Sequence, residues 1–314
     1  MAIVSDLVTP FSEALGRLTN TQTGRICLAV SGGPDSLALL LLAHQVASGR
    51  IVAVTVDHGL RDEAAGEALF VASLCKRLNV QHAILEPDAP ITGNLQSSAR
   101  AARYALLEKF ADKQDCSWIA TAHHEDDQVE TFLMRLARGS GVDGLAAIRA
   151  VNGRIIRPLL EYSKQQLEHI CASAGITPIR DPSNDDESFD RVRMRRWLAN
   201  SKLPFAGDAL GKSASALADA SHALGWVTEQ LAADRIEKHD DMLVFTASDL
   251  PLELQRRLLL HALAIMQPAI VPRGETLGQA IAKVSGGGKA MVGECLITGG
   301  QSWKIEKSPP RRTT

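Results

Sequence analysis

Two periods of apolar residues alternate along the first half of the chain. Arg25-Ile26-Cys27-Leu28-Ala29-Val30 is a short, almost continuously apolar run, the pattern of a strand buried on both faces. Residues 36–46 follow with Leu37, Leu40 and Leu41 at helical spacing. Ile51-Val52-Ala53-Val54-Thr55-Val56 is a second buried strand, rich in β-branched residues. The pattern then predicts a helix over 63–78, a strand over 82–85, a helix over 97–110, a strand over 118–120 and a helix over 125–137. Alternation of this kind with short links predicts an α/β fold, a doubly wound parallel sheet. In such sheets ligands sit beyond the carboxyl ends of the strands.

The second half reads differently. Helices are expected over 163–174, 213–236 and 252–265, with a basic helical turn or two over 191–198. Residues 180–186 form a polar loop with turn chemistry. Leu203-Pro204 breaks the pattern, and a domain boundary is expected there. That gives a catalytic domain at 1–204 and a smaller, mostly helical domain at 205–314. Residues 271–303, Gly-rich with short apolar pieces, are expected to add a small β unit. The tail from Ser308 has the composition of a disordered segment.

Composition narrows the class. The 314 residues suffice for a large core without staples. The five cysteines (Cys27, Cys75, Cys116, Cys171, Cys295) are scattered and form no CxxC pair. That pattern excludes a disulfide framework and a zinc ribbon. No apolar stretch is long enough to span a membrane, and Asp6 and Glu13 do not suit a signal peptide. A cytoplasmic protein is expected. The formal net charge of −2 does not advertise nucleic-acid binding, but a local basic stripe can supply it. The oligomeric state stays open, and a homodimer is compatible with the sequence.

The unusual sequences follow strands. Ser31-Gly32-Gly33-Pro34-Asp35-Ser36 joins the first strand to a helix. Gly32 and Gly33 allow a tight turn and close approach of a ligand. Pro34 suits a first helical turn. The free N–H groups and dipole at a helix start favour an anion. Ser31 and Ser36 add hydroxyls. Asp35, a carboxylate among phosphates, makes sense if it holds Mg²⁺ on them. A bare βα turn with Asp35 as a cap is the plainer alternative. The loop is neither a Walker A motif nor a dinucleotide GxGxxG. It resembles the PP-loop of the N-type ATP pyrophosphatases, which implies ATP cleaved between its α and β phosphates and adenylation of a carbonyl oxygen.

Further motifs follow in order. Val56-Asp57-His58-Gly59-Leu60-Arg61 comes after the second strand, and Ala99-Arg100-Ala101-Ala102-Arg103-Tyr104 lies on the third helix. Thr121-Ala122-His123-His124-Glu125-Asp126-Asp127-Gln128-Val129-Glu130-Thr131 comes after the fourth strand. Arg138-Gly139-Ser140-Gly141, Arg157-Pro158-Leu159-Leu160 and Asp181-Pro182-Ser183-Asn184 complete the set. Together they closely resemble the tRNA(Ile)-lysidine synthetases, over residues 25–200 above all. The end of the chain, near Gly293-Glu294-Cys295, resembles only a fragment of that family's C-terminal domain.

The resemblance implies two substrates besides ATP: free L-lysine and an isoleucine tRNA with a CAU anticodon. The lysine ε-amine would replace AMP on carbon 2 of the wobble cytidine. Asp57 and His58 would join Ser31 to Ser36 in holding the nucleotide. Asp126, Asp127 and Glu130, three and four apart on one helix face, would bind lysine. His123 and His124 would relay protons or contact nucleotide, and Arg100 and Arg103 would stabilise developing negative charge. Arg191, Arg193, Arg195, Arg196 and Lys202 would contact tRNA. Blander alternatives stand beside these roles: acids favoured by a helix dipole, solvated arginine faces, or a metal site at His123-His124-Glu125-Asp126-Asp127. Another substrate for the same loop, amide-forming or sulfur-transferring, and a non-enzymatic nucleotide sensor also remain.

Overall fold

A computed structural model describes residues 5–20, 24–57, 59, 63–87, 95–179, 190–201, 207–268, 270–272 and 274–308. Two compact units divide it, Met1–Ala218 and Asp219–Thr314.

The first unit opens with α1 (Ser5–Leu18), an amphipathic helix that the strand-based reading did not anticipate. It continues with β1 (Arg25–Ala29), α2 (Pro34–Ala47), β2 (Ile51–Val56), α3 (Glu63–Arg77), β3 (Gln81–Leu85), α4 (Leu95–Lys113), β4 (Cys116–Ala120) and α5 (Glu125–Leu136). Then follow α6 (Val142–Leu145), β5 (Val151–Asn152), β6 (Ile155–Ile156), α7 (Lys164–Ser173) and α8 (Asp190–Asn200). The six-stranded sheet has the order β3-β2-β1-β4-β6-β5. All pairings are parallel except β5 with β6. The doubly wound sheet is therefore present, extended by two short strands. β5 and β6 escape sequence detection because two-residue strands carry no period.

Each face of the sheet has its own core. Leu28, Ala53, Ala120 and Ile156 pack with Leu39 of α2, Leu74 of α3 and Ile170 of α7. Cys27, Val54, Ile119 and Ile155 pack with Leu107, Phe110 and Ala111 of α4. α2 has almost no polar face, from Leu37 to Ala43 every residue being buried, so it is covered on all sides. The order reverses between β1 and β4, and the loops after both strands open on that crevice.

The divide between the units falls within α9 (Gly207–Arg235). Pro204, where the sequence suggested a boundary, lies outside the described residues. The second unit holds β7 (Glu237–His239), β8 (Met242–Phe245), α10 (Leu252–Met266), α11 (Gly274–Ser285), β9 (Lys289–Val292), β10 (Cys295–Thr298) and β11 (Trp303–Lys307). Its strands form one antiparallel sheet, β7-β8-β11-β10-β9. The helices expected over 213–236 and 252–265 are present as α9 and α10, and the short β unit is one part of a five-stranded sheet. The sheet is larger because the exposed Glu237–His239 pairs with β8 through backbone alone. Residues 274–285 are helical, with Leu277, Ala280, Ile281 and Val284 buried at helical spacing. Phe245 and Trp303 meet edge to face at 5.8 Å in this core. Ser285 to Lys289, superficially similar to the first Gly-rich loop, is an exposed turn between α11 and β9.

Candidate functional site

Val30 follows β1 and donates its N–H to Val54 O at 2.8 Å, and the chain then turns into Ser31-Gly32-Gly33. Gly32 takes a φ of +89°, and a Cβ there would lie 2.9 Å from Ile179 Cδ1. Both conformation and space demand glycine. Its carbonyl accepts from Ile179 N–H at 3.0 Å, which pins the loop from below. Gly33 is the N-cap of α2 without a side-chain cap, and Pro34 opens the helix. The first helical N–H groups therefore point into the turn without side-chain partners. Ser36 is buried and serves the loop itself: its Oγ accepts from Ser31 N–H at 3.1 Å and donates to Gly33 O at 3.0 Å. Ser31, with its hydroxyl 3.2 Å from that of Ser36, is exposed.

Asp35 reaches across the crevice. Its Oδ2 is 3.5 Å from His124 Nε2, and its Oδ1 is buried with no hydrogen-bond partner among the described residues. His124 caps α5 and also sits 3.6 Å from Asp127 Oδ2. Asp127 in turn accepts the His124 backbone N–H at 3.2 Å. Burial works against a charged His124 ring, but the Asp35 hydrogen bond, with Asp127 and Asp126, outweighs it and raises the pKa above 6.5. Asp127 stays ionised: burial pushes its pKa up, while His124, Arg191 and the hydrogen bond from the His124 backbone pull it further down.

His123 is the opposite case. Its Nδ1 is 3.0 Å from Thr121 Oγ1. Burial first, then Arg157, Arg100 and Arg103, push its pKa down to about 3 against the pull of Asp127. It is neutral at physiological pH, which makes it a hydrogen-bonding group and a poor proton store. Arg100 and Arg103 lie 5.1 and 5.5 Å from the centre of the Tyr104 ring.

Asp126 is partly exposed and makes no hydrogen bond or ion pair among the described residues. Glu130 is different from the expectation. It is 1% exposed, and both oxygens are engaged by α8: Oε1 by Arg195 Nε at 2.7 Å, Oε2 by Arg191 Nε at 3.3 Å. Glu130 is turned inward to α8, while Asp126, four residues earlier on the same helix, is partly exposed. The same pairing engages Arg191 and Arg195, both expected on tRNA: their guanidinium groups meet Glu130 of α5, and Arg191 also donates to Thr131 Oγ1 at 3.0 Å. Arg193 and Arg196 remain on the exposed side of α8, with Trp197 52% exposed beside them. Asp57 lies after β2 and binds its own turn, Oδ1 accepting from Gly59 N–H at 2.8 Å. His58, Lys202 and residues 180–186 lie outside the described residues.

One contributor went unrecognised in the sequence. The Gln128 amide clamps Ile148, accepting its N–H at 2.7 Å and donating to its carbonyl at 2.9 Å. Its one signal was a polar residue on the inward face of α5. His124, expected to relay protons or contact nucleotide, joins the two strand-end loops.

A family profile described as a PP-loop domain matches residues 7–202. The chain is 41% identical over 313 residues to a tRNA(Ile)-lysidine synthase of Zymomonas mobilis subsp. mobilis, spanning 96% of this chain and 94% of that protein. A tRNA(Ile)-lysidine synthase of Novosphingobium aromaticivorans is 40% identical over 301 residues, or 93% and 91% of the two chains. Among solved structures, a tRNA thiolase from Methanococcus maripaludis matches with a TM-score of 0.56 at 16% identity, over 70% of this chain and 78% of that one. At that identity the likeness concerns the fold alone. Identity of the former level, over nearly the whole of both chains, places this protein in the tRNA(Ile)-lysidine synthase family of PP-loop proteins.

Proposed function

We propose that this chain is an ATP-dependent carbon–nitrogen ligase that converts the wobble cytidine of a CAU-anticodon isoleucine tRNA to lysidine, releasing AMP and pyrophosphate. The PP-loop domain implies ATP. The observation that supports the rest is the meeting of Asp35 with the His124-Asp126-Asp127 start of α5 across one crevice. It sets a phosphate cradle beside the Asp126 carboxylate, which has no hydrogen bond or ion pair among the described residues.

In the first step the cytidine 2-carbonyl oxygen attacks the α phosphorus, and pyrophosphate leaves. The N–H groups at the start of α2 hold phosphate oxygens. The buried, unpartnered Asp35 Oδ1 fits a divalent cation, and Mg²⁺ is the hard cation that a lone carboxylate and phosphates share. That ion would screen charge on the phosphates. Arg100 and Arg103 stabilise negative charge as it develops. In the second step the lysine ε-amine attacks carbon 2 and AMP leaves, the amine proton passing to solvent. Asp126 and Asp127 hold the lysine ammonium group, and neutral His123 accepts a hydrogen bond that orients the amine. Arg193, Arg196 and Lys202 contact the tRNA backbone. The everted base enters from a single-stranded loop. The product pairs with A rather than G, which changes the codon read from AUG to AUA and the tRNA identity from methionine to isoleucine. The compartment that fits these substrates is the cytoplasm.

Sulfur transfer, the nearest alternative for this loop, is disfavoured by the cysteines. All five are buried, and burial raises Cys27 and Cys171 to about 12 and Cys75 to about 11, far from reactive thiolates.

Labelled lysine, Mg-ATP and a CAU-anticodon isoleucine tRNA transcript test the proposal directly. Lysine incorporation with stoichiometric AMP release is expected. ATP binding without incorporation refutes it.

A further inference from the structure

Arg157 follows β6 and has no task in the two steps of ligation. It keeps the strand's register: its N–H donates to Ala150 O at 3.0 Å, and Thr121 N–H donates to Ile156 O at 3.0 Å. The parallel pairs Ile119↔Ile155 and Ala120↔Ile156 therefore set Arg157 beside Thr121. Side chains alternate along a strand, so Arg157 and Thr121 share the face of Ile155 and Ile119. That face is covered by α4, which carries Arg100 and Arg103. Thr121 Oγ1 in turn holds His123 Nδ1 at 3.0 Å. The charges of Arg157, Arg100 and Arg103 all depress the basicity of this histidine at the carboxyl edge of the sheet.

Arg157 is 7% exposed. Its Nη1 donates to Arg149 O at 2.5 Å, and its Nε is buried without a partner. Among the described residues it makes no ion pair, nor do Arg100 and Arg103, which lean on the Tyr104 side chain. A guanidinium cannot relieve burial by losing its proton. A buried cation without a counter-ion is strongly unfavourable, so the arrangement is built for an anion that arrives with the reaction.

We propose that Arg157, with Arg100 and Arg103, forms a pocket for a phosphate oxyanion on the α4 face of the sheet, and that Arg157 binds that oxyanion directly. This rests on the lysidine-forming reading. Two sources carry the same chemistry: the pyrophosphate released from ATP, and the tRNA phosphate flanking the wobble cytidine. The planar fork of arginine suits either.

The test uses the full chain with Arg157→Gln and Arg157→Lys. Affinity is measured for inorganic pyrophosphate, for an anticodon stem-loop, and for the same stem-loop with a neutral methylphosphonate beside the cytidine. Arg157→Gln is expected to weaken one of these at least tenfold, with partial recovery in Arg157→Lys. A loss confined to pyrophosphate assigns the leaving group. A loss on the natural stem-loop that vanishes on the methylphosphonate assigns the backbone. If Arg157→Gln does not fold, Arg157→Lys decides, because losing the fork still weakens the affected arm several-fold. Variants with a lower Tm but wild-type affinity in every arm make Arg157 structural and overturn the proposal. Lysine incorporation by the wild type is run alongside: incorporation with no response in any arm sinks the pocket alone, and no incorporation sinks the reading beneath it.

Discussion

His124 Nε2 stands between two carboxylates, 3.5 Å from Asp35 Oδ2 on the phosphate loop and 3.6 Å from Asp127 Oδ2 on α5. The ring is buried and its pKa is raised above 6.5, burial being outweighed by Asp35, Asp127 and Asp126. A raised folded-state pKa means that the charged ring stabilises the fold fully below pH 6.5. That contribution is lost as pH rises through the folded value. His124→Gln is therefore expected to lower Tm most at about pH 6, with the gap to wild type closing towards about pH 9. Thermal melts across that range check it. A gap independent of pH would mean that the ring acts through shape alone.

Asp35 has a second oxygen that is buried and has no hydrogen-bond partner among the described residues. If a cation is its partner in the working enzyme, Asp35→Ala slows the ATP-dependent step by about 10²- to 10³-fold, the scale of losing one charge-stabilising group at a reacting centre. tRNA binding, carried elsewhere, stays within about twofold. AMP release and stem-loop affinity are read on the same preparation. A fully active variant removes the cation role.

Glu130 is expected to act on stability before chemistry. Removing it leaves Arg191 and Arg195 facing a buried gap. Loss of one partner of a fully buried pair costs about 3–5 kcal/mol, and the two arginine side chains are 40% and 38% exposed. Solvent screening brings the expected cost of Glu130→Ala to about 2 kcal/mol. Asp126→Asn, by contrast, is expected to leave stability unchanged and raise the KM for lysine about tenfold, the effect of removing one charged hydrogen-bond acceptor. Denaturant melts and lysine titrations separate the two. A larger lysine KM effect at Glu130 than at Asp126 would return Glu130 to the substrate.

These contrasts mark what the sequence could reveal. Residues 25–30 and 51–56 announce buried strands because their apolar runs leave no other use for them, and Gly32 to Asp35 announce a ligand because the chemistry is local. The duties of Asp126 and Glu130 were not separable. Helical spacing puts them on one side, but only the packing of α8 decides that Glu130 turns inward to Arg195. Arg191 and Arg196 read alike in a basic run for the same reason. β6 was invisible, and with it the placement of Arg157, because two residues of strand take their structure from β4 and not from themselves.

Gly32→Ala is expected to fail at the nucleotide first. A φ of +89° and a Cβ 2.9 Å from Ile179 Cδ1 oppose any side chain. Ile179 can yield by a few tenths of an ångström, so the fold survives at a cost of about 1–3 kcal/mol. The loop moves with it, and ATP affinity falls about tenfold or more. Calorimetric titration with ATP, beside a thermal melt, gives both quantities. Wild-type ATP affinity would remove the phosphate loop from the nucleotide.

The arginines of α8 supply the last prediction, because the helix divides their labour. Arg191 and Arg195 face Glu130, and Arg193 and Arg196 lie on its exposed side next to Trp197. An arginine on a phosphate releases a counter-ion, so removing one such arginine reduces the log–log salt slope of tRNA affinity by about 1. Arg196→Ala is expected to show that reduction. Arg195→Ala is expected to lower Tm, because Glu130 loses its nearest cation, and to leave the salt slope alone while the protein is folded. tRNA binding measured from about 50 to 200 mM salt distinguishes them. Equal slopes for both variants would mean that α8 is fastened to α5 but does not meet the RNA.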